Sequence, residues 1–141
     1  MPTYLIVANQ TLGGAELLTH VKEVMAAGPC EFHLVVPATP PREHLTWTEG
    51  EAHTLATRRL EEGLDRLRGA GAAITGEVGD PSPLLAVDDA LRHRRVDSMI
   101  VCTLPVGLSR WLKLSLPDRL ERKHKVPVTH IVVEPAPAPA H

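Results

Sequence analysis

Two short polar stretches carry most of the residue types that hold small molecules. Asn9-Gln10-Thr11-Leu12-Gly13-Gly14 follows an apolar run and opens a helical pattern. It offers amides, a hydroxyl and two glycines where backbone N–H groups point outward and favour an anion. Thr11 alternatively suits the N-cap of that helix. The second stretch begins at Thr103, runs through Gly107-Leu108-Ser109-Arg110 and ends at Ser115-Leu116-Pro117-Asp118. That last group reads as an N-cap serine with proline in the first turn and an acid three residues on. Ser115 and Arg110 are placed to meet an oxyanion at this helix start. The candidate ligand-binding residues are therefore Asn9, Gln10, Thr11 and Gly13 from the first stretch, and Thr103, Ser109, Arg110 and Ser115 from the second.

The chemistry of an enzyme is harder to find. Ser109 lacks the G-x-S-x-G elbow of a strained nucleophile. None of the eight histidines stands at metal-ligand spacing from a second His, Cys or carboxylate. His33 and His130 fall in strands and read as satisfied core or edge residues. A phospho-accepting receiver needs an acidic pair after its first strand and a lysine after its fifth, where this chain has Asn9-Gln10 and Glu134-Pro135. A pyrophosphatase-type loop is only echoed by Leu12-Gly13-Gly14-Ala15-Glu16-Leu17. Trp47 and Trp111 are the aromatics that a flavin would need, and Trp111 reads as packing. Cys30 and Cys102 fall at opposite ends of strands two spacings apart, roughly 9.6 Å, which excludes a disulfide. No catalytic residue, metal or cofactor is expected, and the chain does not read as an enzyme.

These residues have to be positioned by something, and the apolar pattern supplies it. Tyr4–Ala8, Phe32–Val36, Ala73–Val78, Met99–Thr103 and Val126–Val133 are short, nearly continuous apolar runs, as strands covered on both faces must be. Between them lie helical stripes. Leu17, Leu18, Val21, Val24 and Met25 form the first, ended by Gly28-Pro29. Ala52, Leu55, Ala56, Leu60, Leu64 and Leu67 form the second, with Arg58, Glu61, Glu62, Asp65 and Arg66 as its solvated face. Leu84, Leu85, Val87, Ala90 and Leu91 form the third, and the fourth starts at Ser115. Strands alternating with helices, joined by right-handed crossovers, make an α/β fold with a doubly wound, five-stranded parallel sheet of the Rossmann-like type.

Composition narrows the partners. The chain has 141 residues, of which 43% are hydrophobic and 23% charged, enough for one domain with a real core. Its net charge of −2, with one Tyr, one Phe and two Trp, provides neither a basic footprint nor stacking platforms for nucleic acid. No run approaches the ~18 apolar residues of a membrane span, and the first ten residues lack the basic region of a signal peptide. The expectation is a cytoplasmic protein with one domain over residues 3–134 and a Pro/Ala-rich tail over 135–141.

The segment from Val101 to Leu120 resembles the universal stress protein family, whose members often carry "GLSR" or a close variant there, then a leucine-rich stretch and a capped helix. Gly76-Glu77-Val78-Gly79-Asp80-Pro81 and the helix after it are similar to that family's segment following the third strand. Val126–Val133 is similar to its fifth. The resemblance covers about residues 3–134 and implies strand order 3-2-1-4-5. Nucleotide-binding members have G-x2-G-x9-G-[S/T] in the loop after the fourth strand. On this chain those glycines fall at Val101, Leu104 and Leu114, with Ser115 alone matching. The acid usual after the first strand is replaced by Asn9 or Gln10. Side chains at the glycine positions obstruct close backbone approach to phosphates. The resemblance thus implies the ATP-free branch, a ligand-binding or regulatory module, with a nucleotide or anion binder using a rearranged pocket as the alternative. It also implies a homodimer through the fifth strand, whose edge carries no lysine to protect it.

Overall fold

In a computed structural model the five apolar runs become five parallel strands, and each side chain's face follows from the alternation of the strand. The structure describes residues 1–9, 11–40, 48–105, 109–113 and 115–134, without the side chains of Arg110 and Lys113. In chain order the elements are β1 (Thr3–Val7), α1 (Ala15–Ala27), β2 (Glu31–Pro37), α2 (Glu49–Gly69), β3 (Ile74–Gly79), α3 (Pro83–Leu91), β4 (Ser98–Thr103), α4 (Arg110–Lys113), α5 (Leu116–His124) and β5 (Val128–Val132). The sheet order is β3-β2-β1-β4-β5, as expected.

Strand β1 is the centre of the sheet. Leu5, Ile6 and Val7 are wholly buried because helices cover both faces. Ile6 and Ala8 point into the core shared with α1 and α2, beside Leu17, Leu34 and Ile100. Leu5 and Val7 point the other way, into the core of α3 and α5, beside Val87, Met99, Leu116 and Leu120. Trp111 belongs to that second core.

Local signals set the helix ends. Gly28 follows α1 at φ 153°, a conformation that glycine adopts without strain. The Thr48 hydroxyl caps α2 by accepting from Glu51 N–H at 3.1 Å. The Asp80 carboxylate accepts from Ser82 N–H at 2.8 Å, which turns the chain from β3 into α3. The charged face of α2 is exposed. No described helix is long and apolar enough to cross a membrane.

Several local expectations need correction. A short helix, α4, precedes the helix expected at Ser115. Ser115 occupies the N-cap position of α5, but at φ 54° its side chain makes no capping bond. Residue 14, not Thr11, is the N-cap of α1. Strand β5 is shorter at both ends than its apolar run.

Helix α2 approaches β3 closely at Gly76, where a Cβ would stand 2.6 Å from Leu60 Cδ1 and 3.0 Å from the Leu34 carbonyl oxygen. The leucine can rotate away, but the carbonyl of β2 is fixed by the sheet. Gly76→Val is therefore expected to cost ~1–3 kcal/mol through overpacking, read as a lower urea midpoint. An unchanged midpoint would contradict this packing.

Candidate ligand-binding cleft

The chain leaves β1 at Asn9, which is buried to 6% exposure. A buried amide must place both of its ends. Asn9 Nδ2 donates to the Pro37 carbonyl at the end of β2, at 2.7 Å. Asn9 Oδ1 accepts from Arg59 Nη1, which reaches in from α2. The pair draws α2 over the carboxyl end of the sheet. Gly63 allows the approach, since a Cβ there would already lie 3.3 Å from Leu12 and from Leu34.

Between α2 and the loop after β1 runs a cleft of about 460 Å³, lined by Asn9, Leu12, Gly13, Arg59, Glu62, Gly63 and Arg66. Its size falls within the ~300–1,000 Å³ typical of small-ligand sites. Arg59, Glu62 or Gly63, and Arg66 recur at helical spacing, so one face of α2 supplies two guanidinium groups against one carboxylate. Of the residues expected to bind a ligand, Asn9 and Gly13 line this cleft.

The others are used differently. Thr11 is buried and its hydroxyl donates to the Cys102 carbonyl at 3.4 Å. Thr103 is buried and its hydroxyl meets His130 Nε2 at 2.7 Å. Ser109 is buried and its hydroxyl accepts from Leu112 N–H at 3.2 Å, which begins α4. Ser115 is exposed. Gln10, Gly107, Leu108 and Leu114 lie outside the described residues, as does the side chain of Arg110. Among the described residues, Asn9 and Gly13 line the cleft, while Thr11, Thr103 and Ser109 hold strands and turns together. The start of α1 is not open: Gly14 abuts the Val133 side chain. Beside it, Glu16 Oε2 accepts from Glu134 N–H at 2.8 Å. That bond, with one from its own backbone N–H, holds the Glu16 carboxyl below its ordinary range. Arg59, Glu62 and Arg66 were not among the expected binding residues. Their only sequence signal is arginines seven apart on a helix with a glycine between them.

Val101 lies inside β4, paired with Val7 and His130 and wholly buried. It cannot act as a loop residue. Cys102 beside it has its thiol pushed up to about 12, by burial first and then by the charge of Glu16. Both cysteines are free. Among the described residues, no three His, Cys, Asp or Glu side chains converge as a metal would require.

This arrangement is a doubly wound α/β sheet with a cleft at its carboxyl edge, and solved structures similar to it include universal stress proteins. A universal stress protein family member from Burkholderia pseudomallei is 14% identical and superposes with TM-score 0.64, over 92% of this chain and 94% of that one. A universal stress protein solved in complex with cAMP is 18% identical, with TM-score 0.62 over 94% and 97%. At these identities the likeness is one of fold. No family model matches the chain, and no curated protein does.

Away from the cleft, one buried titratable group joins two strands. His33 of β2 meets Thr75 Oγ1 at 2.7 Å through Nδ1 and Glu77 Oε2 at 2.9 Å through Nε2. Glu77 can only accept when ionised, which assigns the proton to Nε2 and makes Thr75 the donor to Nδ1. Burial lowers the His33 pKa below 6.5, the Glu77 bond opposes this, and the Arg94 charge adds to the lowering. The unfolded chain thus binds more protons than the folded one below pH 6.5, so stability falls as pH drops through that window. His33→Gln is expected to remove this part of the slope in urea midpoints followed against pH. Equal slopes in the two proteins would contradict it.

Proposed function

We propose that the chain is a non-catalytic ligand-binding or regulatory module of the universal stress protein kind, taking a small anionic ligand in the cleft between α2 and the loop after β1. The observation that carries this reading is Arg59, oriented by the buried Asn9 amide, with Arg66 along the same helix face. Two guanidinium groups beside an amide suit a phosphate or carboxylate. The cAMP bound by one structural counterpart supports a mononucleotide as the class to try first. Against ATP in the family's usual manner stand Val101 buried in β4 and Leu104 at the next glycine position.

Titration calorimetry with AMP, cAMP and ATP tests the proposal. A monophosphate is expected to bind, and Arg66→Ala to weaken it by about tenfold or more, the worth of one charge-assisted contact. Arg59→Lys separates charge from the fork that grips Asn9. Equal affinity for wild type and Arg66→Ala would place the ligand elsewhere. A strong thermal shift with ATP and none with monophosphates would favour the usual nucleotide site instead.

We also propose a homodimer through β5. This edge strand leaves Thr129, His130 and Val132 exposed, with Val132 at 41%. Antiparallel pairing of β5 with its symmetry mate would satisfy the open backbone groups in an isologous contact. The protein is expected to scatter light as about twice the monomer mass, and Val132→Asp to halve it while leaving far-UV circular dichroism intact. A monomeric wild type at tens of micromolar would end this proposal.

A further inference from the structure

At the opposite edge of the sheet the charge is unevenly distributed. Arg92-His93-Arg94-Arg95 and Arg122-Lys123-His124-Lys125 are two runs of four basic residues, holding six of the chain's 15 Lys and Arg and none of its 17 acids. Taking those six charges from a net charge of −2 leaves −8 on the rest. Each run ends three residues before a strand, the first before Ser98 of β4 and the second before Val128 of β5. The strands are neighbours, with Met99 opposite Val128, so the two runs arrive side by side at the amino edge. Val96 and Val126 follow the runs and pack into the same core, which anchors both.

The acids nearby are already engaged. Asp88 of α3 takes Lys123 Nζ at 2.6 Å, and His124 Nε2 approaches it at 3.1 Å without hydrogen-bond alignment. Asp89 takes Arg92 at 2.8 Å. Asp97 accepts from Thr3 N–H and Glu121 from Val128 N–H. Arg95, Arg122 and Lys125 are exposed and make no ion pair among the described residues. Cations in the last turn of α5 offset its dipole, but this accounts only for 122–124 and not for the run before β4. Lys125 also stands at φ 56°, left-handed backbone where glycine would be unstrained.

We propose that this amino-edge surface docks a short acidic polypeptide segment. A long polyanion such as duplex DNA would extend beyond the patch onto a surface that is net negative. A short run of carboxylates reaches Arg95, Arg122 and Lys125, the exposed cations without an ion pair among the described residues, within about one Debye length.

Fluorescence anisotropy with a labelled oligoglutamate peptide of about eight residues tests this at low salt, where surface charge is least screened. Binding that weakens as salt rises is expected, and Arg95→Glu/Lys125→Glu should weaken it about tenfold or more. Arg58→Glu, on the exposed face of α2, is the charge-matched control for Lys125→Glu alone and should weaken binding much less than that variant does. No binding, or equal loss in the control, would overturn the proposal. So would tighter binding of a duplex of about twenty base pairs than of the peptide.

Discussion

The buried amide of Asn9 constrains the carboxyl end of this molecule. Strand β1 has no solvent on either face, so the first polar side chain after it emerges into the interior and needs partners there. It finds them in a carbonyl of β2 and a guanidinium of α2. One side chain thus fixes the loop after β1 against the neighbouring strand and sets the height at which α2 crosses. Were the residue an aspartate, Arg59 could still pair with it, but the donor to Pro37 would be lost. The asparagine is the residue type that can serve both neighbours at once.

Similar bonds join other described parts of the carboxyl edge. Thr11 ties the first loop to β4, and Thr103 ties β4 to β5. The backbone after β5 returns to the N-terminal turn of α1 through Val133 and Glu134. Hydroxyls that look free in a linear reading are consumed in holding strands and loops together. Among the described residues, the cleft lies toward α2.

This explains which features were legible in the sequence. Strands follow from continuous apolar runs and from the helices between them, because burial on both faces leaves few alternatives, whereas their order was implied by the family resemblance alone. The partners of Thr11 and Thr103 were not legible, since their bonds join residues 91 and 27 positions apart. Arg59 was missed for a different reason. On a helix with an exposed charged face, an arginine near the boundary of the apolar stripe has the same pattern whether it faces water or a buried amide. Helix α4 has only four residues, too few to show a period.

The way α2 crosses the sheet supplies one wall of the cleft. At 21 residues it spans about 31 Å, whereas the seven residues of β2 span about 23 Å. A helix longer than the sheet it covers must project beyond one edge. Its end at Gly69 is tied back by Arg68, which donates to the Ile74 carbonyl at the start of β3, so the projection falls at the carboxyl side. Farther along the helix Arg59 is drawn inward to Asn9, while Glu62 and Arg66 remain exposed toward the Gly69 end. Among the described residues the cleft therefore lies against α2, with Arg59, Glu62 and Arg66 along its wall.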